Sequence, residues 1–171
     1  MTTRHAVIDT AMLGPVTIVA DDDAVTGVYF RHHVRRPAQE LFGAAVSIVD
    51  DDLLGEAAGQ LHEYLAGQRR EFDLPMSPAG NDFQRRVWER VGAIGFGATV
   101  TYGQIAEQLG DRSAAYLVGQ AVGANPLCIF IPCHRVIGAN GSLTGYAGGL
   151  KRKRALLELE EPAMVSAGRL F

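Results

Sequence analysis

A proline-rich interruption divides this chain into two stretches with different hydrophobic periodicity. Residues 74–80, Leu-Pro-Met-Ser-Pro-Ala-Gly, place two prolines, a serine and a glycine within seven positions, a composition typical of a linker. Short β-rich runs precede this segment, whereas apolar residues at helical spacing follow it. The interruption therefore predicts two domains, residues 1–78 and residues 79–161, followed by a tail at residues 162–171.

The first stretch has the pattern of a small α/β unit. Strands are predicted at three β-rich runs: His5–Asp9, Val16–Ala20 and Val25–Phe30. Three aspartates separate the last two runs, a spacing that suits the turn of a hairpin. From Asp51 onward apolar residues recur every three or four positions. This change of period predicts a helix that ends near Gly67.

The second stretch is mainly helical. Asn81 or Asp82 can cap a first helix that ends near residues 95–97, and Thr101 can cap a second. After a glycine turn, a third helix is expected over Ala114–Ala124. Two short helices joined in this way indicate either a helix-turn-helix or a plain helical hairpin.

Beyond these helices the chain becomes less regular. The apolar run Leu127–Ile131 predicts one buried strand or extended segment, and the glycine-rich residues 138–149 predict a loop. Leucines from Leu150 to Leu159 then mark a last helix, with four basic residues in its first turns.

Composition excludes several classes of protein. No apolar run approaches the ~18 residues of a membrane helix, and the N-terminus lacks the apolar core of a secretory signal. Only Cys128 and Cys133 are present, too few for a disulfide scaffold, so a reducing cytoplasm is expected. Formal charge is −6 over residues 1–78 and +2 over residues 79–161, which weakly favours an anionic partner for the second half.

The chemistry-bearing residues concentrate in Ile131–Val136, where a thiol is followed directly by an imidazole and a guanidinium. Thiolate is the nucleophilic form of cysteine, and a neighbouring base and positive charge favour its formation. A buried cysteine is also commonly an inert small apolar residue. The Cys133-His134 pair by itself leaves both interpretations open.

The segment Pro132–Val136 resembles the active-site signature of the O6-alkylguanine-DNA alkyltransferases, the methylated-DNA–protein-cysteine methyltransferases. The resemblance is dense over residues 80–160 and loose over the N-terminal half. The other segments that match in order and spacing are Phe83–Trp88, Thr101–Ala106, Gly123–Pro126, Gly145–Gly149 and Lys153–Glu160.

The resemblance implies an N-terminal ribonuclease-H-like α/β unit and a C-terminal, mainly helical, winged-helix-like domain. It implies direct, irreversible transfer of an alkyl group from guanine O6 to the protein's own cysteine, without a metal or an organic cofactor. The expected partner is double-stranded DNA that contains O6-alkylguanine, and no membrane is expected to be involved. A monomer is expected, with cooperative assembly along DNA left open.

Four residues receive chemical roles from this resemblance. Cys133 would accept the alkyl group, and His134 would remove the thiol proton, through a water as in the family. Glu160 would orient and stabilise the imidazole, and the hydroxyl of Tyr102 would donate to guanine N3 as the O6–C bond breaks. The alternatives are that Tyr102 is a core phenol and that Glu160 is a solvated helix residue, and the full motif favours the chemical roles over both.

The nucleotide must leave the duplex to meet a buried thiol, and the resemblance implies a pocket for the flipped base. Tyr146 would form its wall, and the carbonyls of Cys133 and Val136 would read the guanine edge. Where many relatives carry a serine, this chain has Ala147, so a backbone N–H alone would contact O6. Asn125 is expected to act as a hinge. The other residues expected at the base or its loop are Tyr146, Val136, Ala147 and Arg135.

The third helix would enter the minor groove of DNA by the same resemblance. Its small residues Ala114, Ala115 and Gly119 give a thin face, which equally fits tight packing on another helix. The family pattern places an arginine finger where this chain has Tyr116, and Arg112 is the alternative. The substitution predicts impaired handling of duplex DNA with intact transfer chemistry.

Two other functions are weighed against repair. A non-catalytic alkyltransferase-like damage sensor lacks the nucleophilic cysteine, so Cys133 argues against it, and a Cys-His hydrolase would turn over repeatedly. A metal site is not predicted, because His5, His32, His33 and His62 match no tight ligand motif. Cys128 is expected to line or back the pocket.

Overall fold

The computed structural model describes residues 2–161 and divides into two compact units, the first ending at Ala79 and the second beginning at Gly80. The predicted tail at residues 162–171 lies outside the described residues. None of the described helices is long and apolar enough to cross a membrane.

The first unit is a four-stranded sheet covered by one helix. Its elements are β1 (Thr3–Thr10), β2 (Gly14–Asp21), β3 (Ala24–Phe30), a 3₁₀ turn (Gln39–Phe42), β4 (Ala44–Ala45) and α1 (Asp52–Leu65). The sheet has the order β3-β2-β1-β4, with β4 parallel to β1 and the other neighbours antiparallel. The helix α1 buries Leu54, Leu61 and Tyr64.

Local sequence accounts for most of this unit. All three predicted strands are present and each extends beyond its predicted bounds. Asp22 occupies the hairpin turn at φ 51°, a backbone region that aspartate tolerates. Asp51 caps α1 by accepting from the Leu54 amide and pairs with Arg4 at 2.7 Å, and Gly67 at φ 78° follows the helix end.

The second unit is mainly helical. Its helices are α2 (Asp82–Gly92), α3 (Tyr102–Gln108), α4 (Ala115–Gly123) and α5 (Leu150–Leu159), and its two short strands are β5 (Val100–Thr101) and β6 (Val136–Ile137). The two strands pair in parallel. Two 3₁₀ turns, Arg112–Ala114 and Cys133–Arg135, precede α4 and β6 respectively.

Capping boxes fix the starts of two helices, as their sequences predict. Asn81 accepts from the amide of Gln84, whose side chain accepts from the Asn81 amide in return. Thr101 and Gln104 make the same exchange at the start of α3. The helix α2 ends at Gly92, earlier than predicted, and α4 begins one residue late because Ala114 belongs to the preceding 3₁₀ turn.

The segment 127–131 is a buried turn and not the predicted strand or extended segment. Ile129 has φ 75° and the Ile131 amide donates to the Leu127 carbonyl at 2.8 Å. The cause is Asn125, whose amide oxygen accepts from Leu127 and whose NH₂ donates to the carbonyl of Ile131. One buried side chain thus satisfies the backbone groups at both ends of the turn.

Candidate active site

The buried turn delivers the chain into a second turn that carries the Cys-His-Arg sequence. Pro132 precedes the 3₁₀ turn Cys133–Arg135, and the amide of Val136 donates back to the Cys133 carbonyl. The three side chains are buried, with Cys133 only 4 % exposed. A reagent must therefore enter the protein to reach this thiol.

The surroundings of Cys133 favour its thiolate form. Its Sγ lies 4.0 Å from the Sγ of Cys128. A hydrogen bond with Cys128 lowers the pKa of Cys133, and the Asn125 amide and the positive charge of Lys153 lower it further, against the opposing effect of burial. The sulphur is therefore a better nucleophile at neutral pH than an ordinary buried thiol.

His134 and Glu160 form a fully buried pair beside the cysteine. The Nε2 of His134 lies 2.9 Å from the Oε2 of Glu160, and both side chains have no exposed surface. Burial lowers the pKa of His134 despite the neighbouring carboxylate, so the imidazole is neutral at pH 7. Its proton then sits on Nε2, facing the carboxylate, and Nδ1 carries the lone pair that can accept a proton.

Glu160 is held by more donors than the imidazole alone. Its carboxylate accepts from His134, from Nε and Nη2 of Arg135, and from the backbone amide of Gly97. Burial alone would raise its pKa, but the hydrogen bonds from His134 and Arg135 outweigh this and hold the pKa at about 2. Glu160 is therefore ionised and buried, which excludes the solvated-residue interpretation.

Arg135, predicted at the base or its loop, has its guanidinium bound inside the protein in this structure. Its guanidinium is buried, donates twice to Glu160 and once, at 2.6 Å, to the carbonyl of Ile94. The cause is the buried carboxylate, whose charge requires a cation within the protein. Arg135 positions Glu160 and the segment after α2.

Tyr102 lies at the start of α3 with its hydroxyl donating to the carbonyl of Thr144 at 3.1 Å. Burial raises the pKa of its phenol, so the hydroxyl keeps its proton and remains a donor. The tyrosine ring packs beside Gly119 of α4, where an added Cβ would make an ordinary van der Waals contact at 3.7 Å.

Lys153 is a buried cation next to the site that the sequence did not single out. Its Nζ donates to the carbonyls of Val136, Thr144 and Gly145 at 2.6, 2.8 and 3.2 Å. Burial lowers its pKa to about 8. The ammonium thereby ties the glycine-rich loop to the turn after Cys133 and contributes positive charge near the sulphur.

The residues predicted to form the base pocket are buried or nearly buried. Tyr146 and Ala147 are nearly buried, and the Tyr146 hydroxyl is within hydrogen-bonding reach of the Cys128 sulphur. Val136 is fully buried and its carbonyl already accepts from Lys153. Asn125 holds the buried turn through its bonds to Leu127 and Ile131, and the Cys128 sulphur lies 4.0 Å from that of Cys133.

The predicted DNA-contact residues lie on α4 and the turn before it. Tyr116 is 75 % exposed and accepts from the side chain of Gln120 at 3.0 Å. Ala114, Ala115 and Gly119 are half-buried. Arg112 is exposed and pairs with Glu107 at 2.6 Å on the neighbouring helix. Trp88 of α2 fixes the opposite, buried side of α4 by donating to the carbonyl of Ala121.

Comparison with known proteins matches both halves of the chain to one family. The ribonuclease-like domain of 6-O-methylguanine DNA methyltransferase matches residues 3–78, and the DNA-binding domain of the same proteins matches residues 82–162. Within residues 2–161 no group of three or more His, Cys, Asp or Glu side chains is placed to hold a metal ion.

Relatives and solved structures agree with this match. The methylated-DNA–protein-cysteine methyltransferase of Mycobacterium tuberculosis H37Rv is 43 % identical over 149 residues, 87 % of each chain, and the inducible enzyme of Bacillus subtilis is 42 % identical over 80 % of each. The crystal structure of the M. tuberculosis O6-methylguanine methyltransferase superposes with a TM-score of 0.83 at 41 % identity over 94 % of both chains. Its DNA complex gives the same TM-score over 93 %. The chain belongs to the family of methylated-DNA–protein-cysteine methyltransferases.

Proposed function

We propose that this protein repairs DNA by moving an alkyl group from guanine O6 to the sulphur of Cys133. The proposal rests on the buried Cys133, whose pKa is lowered and which is followed directly by His134. The imidazole of His134 is neutral and hydrogen-bonded to Glu160. The names of the relatives, and the M. tuberculosis structure with DNA, support the same reaction.

The transfer is a displacement at the alkyl carbon. The Cys133 thiol gives its proton to Nδ1 of His134, through a water, and the thiolate attacks the carbon attached to O6. The new S–C bond forms as the C–O6 bond breaks, and its electron pair stays on the guanine. Tyr102, kept protonated by burial, donates a proton toward N3, and the proton that His134 took from the thiol replaces it on the phenol through water. The net products are a thioether and unmodified guanine, with His134 and Tyr102 both neutral again.

The reaction consumes the protein. A thioether has no ionisable proton for His134 to remove, and its saturated alkyl carbon has no carbonyl to which water could add before the Cys133 thiolate leaves. We therefore propose a single turnover, with Cys133 alkylated for the life of the molecule. This property separates repair from a Cys-His hydrolase, whose acylated cysteine is released by water.

Base flipping brings the lesion to the sulphur. Because Cys133 is 4 % exposed, a base stacked in a duplex cannot touch it, and extruding the nucleotide costs a few kcal/mol. We propose that the base enters beside Tyr146, where Gly145 at φ 47° and Gly149 at φ 90° shape the loop. Backbone without a Cβ can approach a flat ligand closely.

Tyr116 is the residue that we propose to fill the hole left by the flipped base. It projects from α4 with three quarters of its surface exposed, whereas Arg112 lies on the preceding turn and pairs with Glu107. A tyrosine supplies a stacking plane but no charge, so it cannot attract phosphates as an arginine does. Duplex repair should therefore be slower than transfer chemistry alone permits.

Intact-mass spectrometry tests the reaction. After mixing with an oligonucleotide that contains O6-methylguanine, the protein should gain one methyl group on Cys133, with product reaching about one per protein molecule. Cys133→Ser should bind the lesion and gain no methyl. Product well above one per molecule would support a hydrolase, and an unmodified protein that still binds the lesion would support a damage sensor.

A further inference from the structure

Cys128 is a second buried thiol at the site, five residues before Cys133. It lies in the buried turn 127–131, directly after Pro126 and Leu127, and has no exposed surface. The transfer reaction proposed above uses one thiol only, so the position of the second needs a separate explanation.

The two thiols form a short chain of hydrogen bonds. The Sγ of Cys133 lies 4.0 Å from the Sγ of Cys128, which in turn lies 4.0 Å from the carbonyl oxygen of Asn125. With both groups protonated, the thiol of Cys133 donates to the sulphur of Cys128, and the thiol of Cys128 donates to that carbonyl. The S–H group of Cys128, a weak donor, thus has two acceptors within reach: the Asn125 carbonyl and the Cys133 sulphur.

We propose that Cys128 is the hydrogen-bond donor that stabilises the Cys133 thiolate, by turning its S–H from the Asn125 carbonyl to the neighbouring sulphur. The movement is a rotation about one Cβ–Sγ bond and needs no displacement of the backbone. The proposal deepens the proposed function, on which its relevance to repair rests, whereas the thiolate itself is a property of the protein without DNA.

The electrostatics of the pair are consistent with this direction of donation. The hydrogen bond with Cys133, together with burial, raises the pKa of Cys128 well above its ordinary value, while the same hydrogen bond lowers the pKa of Cys133. Two adjacent thiolates repel each other, so one sulphur keeps its proton. Cys128 therefore remains the donor and Cys133 becomes the nucleophile.

Other groups act on the same sulphur and must be held constant in a test. Asn125 reaches it through its amide, Lys153 acts through its charge from α5, and Tyr102 of α3 interacts with its charge. His134 is its direct neighbour in sequence and is neutral through burial. Substitution at Cys128 leaves all four in place. The Tyr146 hydroxyl, which acts on the Cys128 sulphur and lowers its pKa, is present in every variant.

Thiolate absorbance near 240 nm, followed against pH in the presence of a phosphine reductant, measures the pKa of Cys133 directly. The full chain is titrated as wild type, Cys128→Ala and Cys128→Ser, with Cys133→Ser as the baseline that removes the signal of interest. Loss of the donor in Cys128→Ala should raise the pKa by about one unit, which lowers the thiolate fraction about tenfold below that pKa. Iodoacetamide alkylation at pH 7 should slow by about the same factor.

The serine variant decides between donation and packing. Serine and alanine differ by one hydroxyl, so Cys128→Ser should titrate close to wild type, while a rise equal to that of Cys128→Ala would overturn the proposal. An unchanged titration in Cys128→Ala would overturn it as well. If alanine loosens the turn, Cys128→Thr and Cys128→Val repeat the comparison. Threonine and valine have nearly equal shape, and only threonine carries a hydroxyl donor.

The outcome is distinguishable from a failure of the proposed function. If the wild type gains no methyl from the O6-methylguanine oligonucleotide, yet the titrations separate donor from non-donor variants, the repair function fails and the role of Cys128 stands. If methyl transfer proceeds and the titrations coincide, the role of Cys128 fails and the repair function stands.

Discussion

Replacing Glu160 by glutamine should destabilise the protein in a pH-dependent way. The carboxylate is fully buried and its pKa of about 2 lies well below its ordinary value of 4.5. That difference of about 2.5 units corresponds to about 3 kcal/mol at 1.36 kcal/mol per unit. Because the folded pKa is depressed, this stabilisation is complete above about pH 4.5 and is lost as the pH falls toward 2.

Urea unfolding of wild type and Glu160→Gln at several pH values measures the effect. The variant should lose about 3 kcal/mol at pH 7, and the difference should shrink by about half near pH 3. Glu158→Gln is the matched control, because Glu158 lies exposed near the end of α5, two residues before Glu160, and its substitution should change stability by less than about 0.5 kcal/mol. A Glu160→Gln protein as stable as wild type, or a difference that does not vary with pH, would refute the reasoning.

Three further substitutions, the first with a matched control, separate the contributions of Lys153, Tyr102 and Tyr116. Lys153→Met removes a buried cation and should slow iodoacetamide alkylation of Cys133 below about pH 8, above which the wild-type ammonium is itself lost. Lys151→Met, exposed on the same helix, should leave that rate unchanged. Tyr102→Phe should slow methyl transfer from DNA by about a hundredfold without changing the alkylation rate, and an equal fall in both would show a structural role. Tyr116→Arg should speed repair of duplex lesions and leave the rate with free O6-benzylguanine unchanged; equal duplex rates would mean that Tyr116 is not the finger.

The elements predicted correctly are those that local interactions determine. Asn81 and Thr101 each start a helix through a capping box contained in four consecutive residues, so the sequence contains the whole interaction. The strands β1 to β3 follow from residue type and turn chemistry in the same way. By contrast, the run 127–131 is uniformly apolar and its turn depends on the side chain of Asn125, which periodicity cannot reveal.

The burial of Lys153 was not predicted from the sequence. Four consecutive basic residues resemble the solvated start of a helix, and only burial separates the third from its neighbours. A signal exists nevertheless, because Lys153, Leu156 and Glu160 are spaced by three and four residues and so share one helical face. When a lysine and a glutamate share a helical face with a buried leucine, the pattern indicates that both charges are buried and bind polar groups of other elements.

This shared face makes α5 and the residue that follows it the common support of the chemistry. Glu160 contacts His134 and Arg135. About two turns earlier, Lys153 donates to the carbonyls of Val136, Thr144 and Gly145. The base that takes the proton and the loop proposed to receive the guanine therefore depend on the rotation of a single helix. Tyr116 projects from α4 on a different, exposed surface, so DNA handling can change there while the geometry around Cys133 is preserved.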